Sequence, residues 1–271
     1  MKKKLEIYCV TDKDLKFFDR LKCNLAAVGK NKFPDKYIRC NKGKNIFYKE
    51  EFYSELTFHY WFWQNELKKN INKNDIWIGF CQKRRFWLQS EKNALVKKNN
   101  KYNFLNNVPK KWDNYDAIIC KKMILNQPKV MKLIKRGWKN ILSDPSIFYD
   151  KKKHNIKLHF DMFHGYGNID LAISVMNKKD QDEFRTYINS SNEFNPHIMF
   201  ITKPKIMNQW FEDLFGWLKR CEKIFGFNKL KGYDTKRLYA YLAERYLSFW
   251  FKKYSNYLEW PYVFIDTEKL G

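Results

Sequence analysis

Residues 75–87 read Asp-Ile-Trp-Ile-Gly-Phe-Cys-Gln-Lys-Arg-Arg-Phe-Trp, and no other stretch restricts the fold as much. Residues 76–81 are apolar on both alternating faces, the pattern of a strand covered on both sides inside a sheet. The run then breaks without a spacer into Gln82, Lys83, Arg84 and Arg85. Three cations at the end of a buried strand are costly unless an anion sits there, and in open α/β sheets ligands bind beyond the carboxyl ends of the strands. Two readings follow: the tip holds a phosphate-bearing ligand, or it is a solvated basic turn.

The remaining pattern alternates strands and helices. Residues 5–10 read as a first strand, followed by the polar loop Thr11-Asp12-Lys13-Asp14. Residues 29–45 are rich in turn formers and read as loop. A helix is predicted from Glu50 to about Leu67, with Phe52, Leu56, Tyr60, Trp63 and Leu67 on its core stripe and Glu55 and Thr57 on the flanks. Residues 89–115 look irregular, and residues 116–120, Asp-Ala-Ile-Ile-Cys, form another buried strand. A helical segment covers about 130–142, and residues 150–157 are basic and exposed. His159, Asp161 and His164 then precede Gly165-Tyr166-Gly167, and Asp170 opens a short helix through Met176. The imidazoles are not spaced i, i+4 on a clear helix, so a metal site there is the minority reading.

Residues 197–201 read as a strand. Pro204 sits in the first turn of an amphipathic helix that Gly226 ends. The last long helix opens at Asp234 and is apolar on two faces, one of which contains Arg245. A buried Arg requires an acid or an anion; Glu244 or a bound phosphate would serve. The expectation is one α/β domain over residues 1–271, a central sheet flanked by helices, with a helical carboxyl-terminal portion from about 204.

Composition bears on partners. A hydrophobic content of 44% argues for a folded chain, and the formal charge of +24 suggests nucleic acid, an anionic membrane surface or a phosphorylated substrate. Most of the excess is lysine in a chain also rich in Asn and Ile, so the charge weighs less than the placement of Arg. A nucleic-acid-binding protein is the rival reading; against it, the aromatics fall on core stripes and no nucleic-acid-binding motif is present. The six cysteines show neither zinc spacing nor a compact disulfide framework. Without a signal peptide or a membrane span, a cytoplasmic protein is expected, with peripheral contact at the inner membrane face through its Lys and aromatic surface.

Gly43-Lys-Asn45-Ile46, then Glu55-Leu56-Thr57, then Tyr60-Trp61-Phe-Trp63-Gln-Asn65, resembles a block of an uncharacterised-domain family found in capsular-polysaccharide and lipopolysaccharide glycosyltransferases. That family's Gly-x-x-His-Tyr-Arg-Arg strand is matched by Gly79-Phe-Cys-Gln82-Lys83-Arg84-Arg85, with Gln-Lys in place of His-Tyr. Tyr115-Asp116, residues 164–170, Met199-Phe-Ile201 and Ala243-Glu244-Arg245 follow in the family's order, with Ile198 where an Asn is usual. The resemblance implies a GT-A-like transferase acting from a nucleotide sugar onto a glycan or lipid-linked glycan, some relatives being linked to galactofuranose transfer. Donor-binding candidates are then Thr11, in the polar loop at the tip of the first strand, the strand-end cations Lys83, Arg84 and Arg85, and the motif residues Asn45, Glu55, Thr57, Gln82, Glu244 and Arg245. Candidates for the base are Asp170, His164 and Asp116. Where metal-using transferases carry clustered carboxylates this chain carries cations, so no metal cofactor is expected; Mg²⁺ or Mn²⁺ on Asp113, Asp116 or Asp161 is the alternative.

Overall fold

The computed structural model describes residues 3–90, 102–125 and 128–269. The chain divides into two compact units, one made of Met1–Lys121, His197–Glu212 and Trp250–Gly271, the other of Lys122–Pro196 and Asp213–Phe249.

The first unit is built on a mixed sheet. Its main path runs β10 (Tyr257–Trp260), β6 (Ala117–Cys120), β9 (Phe200–Thr202), β4 (Ile76–Gln82), β1 (Lys4–Thr11), β2 (Asn24–Ala27) and β3 (Tyr37–Arg39). Strands β1 to β4 are mutually parallel along this path, whereas β9 runs antiparallel between β4 and β6. The short β5 (Arg85–Trp87) turns back on β4 and pairs with β11 (Tyr262–Phe264). As the two-sided apolar run requires, β4 is buried from Ile76 to Cys81. Gly79 is needed for the approach of β9, because a Cβ there would lie 2.3 Å from Ile201 Cγ1. Removing its side chain is what lets an antiparallel strand enter beside β4.

Each face of the sheet has its own aromatic layer. On one, Phe58, His59 and Phe62 of α2 (Leu56–Asn65) pack on Tyr8 and Phe80. On the other, Trp77 meets Trp112, which meets Trp260, with ring centroids 5.2 and 5.3 Å apart. Fully burying side chains of this size stabilises by roughly 2–3 kcal/mol each, so the two layers fix the sheet far more firmly than hydrogen-bond register alone. Cys9 and Cys81 lie side by side in the β1–β4 register, and all six cysteines are free.

The second unit is largely helical: α3 (Val130–Ser143), α4 (Ile156–His164), α5 (Asn168–Ser174), α6 (Lys178–Ser190) and α8 (Tyr233–Lys236), with the small hairpin β7 (Met123–Ile124) and β8 (Glu193–Phe194). The later part of α7 (Pro204–Phe225) and the earlier part of α9 (Leu238–Tyr254) belong to it. No described helix is long and apolar enough to cross a membrane.

Four expectations need correction. The helix from Glu50 is broken: α1 (Glu50–Tyr53) stops at Ser54, whose φ of 52° is left-handed, before α2 begins. A non-glycine residue held there is strained. Residues 29–45 include a strand, β3, which pairs with β2. Residues 156–164 are helical, started by the Asn155 side chain, which accepts from Leu158 N at 2.9 Å. Finally, the carboxyl-terminal portion is not helical to its end, because β10 and β11 return to the sheet beside β6 and β5. Of the irregular stretch expected at 89–115, residues 91–101 lie outside the described residues.

Candidate functional site

The parallel strands β1 and β4 end together, with Gln82 opposite Val10 and Thr11 one step beyond. This puts Thr11, Gln82, Lys83, Arg84 and Arg85 at one tip of the first unit. Glu55, at the amino end of α2 directly after strained Ser54, accepts a hydrogen bond from Gln82 Nε2. Gln82 Oε1 in turn accepts from Arg85 at 3.3 Å, and the Arg85 guanidinium lies 5.5 Å from the centre of the Phe264 ring. Glu55, Gln82 and Arg85 thus form a relay whose polarity is fixed by the amide of Gln82: nitrogen to the acid, oxygen to the cation.

The anion demanded by the cations is present, and the chain supplies it. Lys83 Nζ sits 2.5 Å from Asp12 and 3.5 Å from Glu268; Arg84 sits 2.8 Å from Glu268 and 3.9 Å from Asp266. Lys13 is 3.0 Å from the same Glu268 carboxylate. Lys13 and Arg84 hold the Glu268 carboxyl down at about 2. The segment carrying these acids is tied to the tip by its backbone, with Ile265 N donating to Arg84 O and the Thr267 hydroxyl donating to Lys83 O, both at 2.9 Å. Sequence reading missed Asp12, Lys13, Asp266 and Glu268. Asp12 and Lys13 follow the first strand and were within reach of the rule that found Thr11, but nothing local announces that residues 265–268 return here.

Other members of the predicted donor set are committed to the scaffold. The Thr11 hydroxyl donates to Lys13 O and accepts from Lys13 N, which shapes the loop. Thr57 is buried and donates to Ser54 O at 2.9 Å, pinning the strained junction. Asn45 donates to Gly43 O and accepts from Phe47 N. Asn65 accepts from Lys44 N and donates to Lys44 O and Trp61 O, and the Trp61 indole donates to Lys42 O. Gly43 has φ of 69°, and a Cβ on it would lie 2.3 Å from Asn65 Oδ1. The spacing of Gly43, Asn45, Trp61 and Asn65 therefore has a structural cause: helix α2 grips the 42–45 loop with two side chains.

Asp116 is not brought to the tip. It precedes β6, and Ala117 is level with Thr202 and hence with Ile78, near the start of β4. Four residues at roughly 3.4 Å each separate that level from Gln82, about 14 Å along the strand, and Asp116 lies one residue farther back. Its carboxylate is instead bonded to Lys203 Nζ at 2.8 Å.

The second unit holds the other four predicted residues. Arg245 is 2% exposed; its guanidinium donates to Glu244, approaches His159 Nδ1 at 3.4 Å and lies 4.0 Å from the centre of the Phe194 ring. Since Arg can only donate, His159 Nδ1 accepts, and the proton of that ring is on Nε2. Burial, reinforced by the Arg245 charge, lowers His159 to about 3 and His164 to about 4, so both are neutral near pH 7. His164 Nδ1 faces the Asp234 carbonyl at 3.0 Å and must carry the proton, leaving Nε2 as a lone pair; its ring stacks on Tyr241 at 3.7 Å. Asp170 stands in the first turn of α5, half-exposed, with Lys157 Nζ 2.8 Å from it and 2.8 Å from buried Asp161. Among the described residues no three His, Cys, Asp or Glu side chains converge as metal ligands.

The chain resembles a solved structure of WbbM, a bifunctional glycosyltransferase in its apo form, at 20% identity and a TM-score of 0.69. The match covers 97% of this chain and 45% of that one, so the chain spans somewhat less than half its length. At that identity the likeness is one of fold. No curated protein matches. The family described as Domain of unknown function (DUF4422) matches residues 6–256, nearly the whole chain, and the protein belongs to that family.

Proposed function

We propose that the protein is a glycosyltransferase that moves a sugar from a nucleotide-sugar donor to a growing capsular or lipopolysaccharide glycan, with inversion and without a metal. The observation that carries this reading is the tip formed by Gln82, Lys83, Arg84 and Arg85 at the carboxyl ends of β1 and β4, in a fold shared with a glycosyltransferase. Departure of a nucleoside diphosphate requires its growing charge to be stabilised. Arg84 and Arg85 would hold the phosphates through their planar forks and Lys83 as a point charge. Glu55 orients Gln82 and, through it, Arg85. Galactofuranose, to whose transfer the resemblance links some relatives, is one candidate for the donor sugar. Most of the large aromatic side chains are buried in the core, which weighs against a nucleic-acid-binding surface built on stacking.

For the base, Asp170 is the better candidate: its carboxylate is half-exposed and held by a single lysine. His164 keeps a lone pair on Nε2, but a value of about 4 makes it a weak base near pH 7. Asp116, at the opposite end of the strands, is withdrawn from this role.

In this scheme Glu268 occupies the cations that the diphosphate would take. Glu268→Gln is therefore expected to raise affinity for a nucleoside diphosphate by roughly two- to fivefold, the scale of an exposed ion pair. Calorimetric titration checks this; weaker binding would mean that Glu268 supports the site instead of competing for it.

Metal independence is tested by assaying transfer with purified protein after exhaustive chelation, then after return of Mg²⁺ or Mn²⁺. Full activity in chelator is expected. Loss on chelation with recovery on adding either ion would transfer the charge-stabilising role to a metal and direct the search for ligands to the carboxylates that reach the tip, Asp12, Asp266 and Glu268.

A further inference from the structure

Helix α3 carries two apolar rows, and only one of them is packed. Leu133, Gly137 and Asn140 face inward, where Leu133 joins Ile147, Leu158 and Met162 in a small core. The second row, Met131, Ile134, Trp138 and Leu142, is spaced by three, four and four residues and is exposed; Met131 and Leu142 are 76% and 74% accessible. At about 100° per residue this row stands more than a quarter turn away from the packed one. Shortly after the helix, Phe148 and Tyr149 are exposed as well. At the other end Met123 and Ile124 are also exposed and share the wall of a cavity of about 370 Å³ with Lys129 and Lys132.

The charge beside this row is of one sign. Residues 129–143 contain Lys129, Lys132, Lys135, Arg136 and Lys139 and no acid; beyond the helix Asp144 is paired with Lys153, and Asp150 precedes Lys151 and Lys152. Arg136 is bonded to Asp234 and Lys132 lies over the Phe163 ring, whereas Lys135 and Lys139 stand on the side next to the exposed row, Lys139 5.5 Å from the Trp138 ring centre. A helix with Trp, Leu, Ile and Met on one side, lysines on the next and low overall hydrophobicity has the make-up of one lying in the plane of a membrane surface. A second copy of the chain is a poor occupant, because it would bring the same five cations against these five.

We propose that α3 docks on an anionic lipid bilayer, with Met131, Ile134, Trp138 and Leu142 entering the boundary between head groups and acyl chains and Lys135 and Lys139 facing lipid phosphates. The side chains that do this lie on the solvent side of the helix, so the docking does not require unfolding of the core beneath it. The inference is independent of the transfer reaction, and its test involves no nucleotide sugar.

The test is co-sedimentation of the full chain with vesicles of phosphatidylglycerol and phosphatidylcholine in equal parts, and with phosphatidylcholine alone. Binding to the anionic vesicles is expected to exceed that to the neutral ones by at least about tenfold. Trp138→Ser/Leu142→Ser should lower the partition coefficient by at least about tenfold. Lys135→Glu/Lys139→Glu should lower it comparably on anionic vesicles, and this pair leaves every apolar contact in place should the serine variant fold poorly. Failure of the unaltered protein to sediment with anionic vesicles, or equal binding by both variants, overturns the proposal. So does a concentration-dependent dimer that the serine variant abolishes, which would give the apolar row to a second copy.

Discussion

Glu244→Gln is expected to lower the unfolding free energy by about 3 kcal/mol, the low end of the cost of breaking a buried ion pair. Arg245 is 2% exposed, and Glu244 is its one acidic partner among the described residues. The other groups on the guanidinium, a neutral imidazole and the Phe194 ring, do not neutralise it. The Gln side chain keeps an accepting oxygen and removes the countercharge, so the variant isolates the electrostatic part. Adding Arg245→Met removes the stranded cation and should recover most of the loss, because an apolar side chain of similar length suits a site walled by Phe160 and Phe194. Urea midpoints for the two variants decide it; an unchanged midpoint in Glu244→Gln would show that Glu244 contributes no stability.

Burial beside Arg245 also sets an acid limit. His159 and His164 are held at about 3 and about 4, below the ordinary value of 6.5, first by burial and then by the Arg245 charge. As pH falls below 6.5 the unfolded chain takes up these protons before the folded one. Stability is therefore full above about pH 6.5 and declines toward pH 4, by up to about 1.4 kcal/mol per pH unit for each histidine. Without the Arg245 charge that decline should be shallower.

What could be read in the sequence follows the range of the interaction concerned. The two-sided burial of β4 and the helices α3 and α7 are written in periods of two and 3.6 residues, and both were visible. Arg245 is also legible as an anomaly, a cation on an apolar face with Glu244 beside it as the natural partner. Features set by contacts distant in sequence were not visible. The break at Ser54 has no glycine or proline to mark it, since Thr57 and the Glu55–Gln82 contact hold the strained backbone. The return of residues 257–269 to the sheet brings Glu268 to Arg84 across 184 residues of sequence, as the Thr267–Lys83 bond measures. The three cations at the tip point to an anion, and the sequence offers no means of telling a ligand's phosphate from the chain's own carboxylates, which meet Lys83 and Arg84 here. Asp116 illustrates the converse: a carboxylate beside a buried strand is informative only once the strand's direction is known.

Arg84→Ala/Arg85→Ala is expected to weaken binding of a nucleoside diphosphate by about 100-fold. A hydrogen bond to a charged group contributes about 1.5–3 kcal/mol, so two guanidinium–phosphate contacts would contribute roughly 3–6 kcal/mol. Part of that is offset, because Arg84 must give up Glu268 and Arg85 its contact with Gln82 before either can turn to a phosphate. A net loss near 3 kcal/mol corresponds to the stated factor. The fold should survive: Arg84 has a 37% exposed side chain, and the β4–β5 turn is held by a backbone bond from Ile265 and by the Thr267 hydroxyl. Lysine at both positions should restore only part of the affinity, since a point charge replaces a planar fork. Binding is read by calorimetry against a panel of nucleoside diphosphates and the matching nucleosides. The unaltered protein should prefer one diphosphate strongly over its nucleoside, and that preference should largely vanish in the double alanine variant. If the variant keeps both its affinity and its preference, Arg84 and Arg85 do not hold the phosphates, and the tip is a basic turn neutralised by Asp12, Asp266 and Glu268.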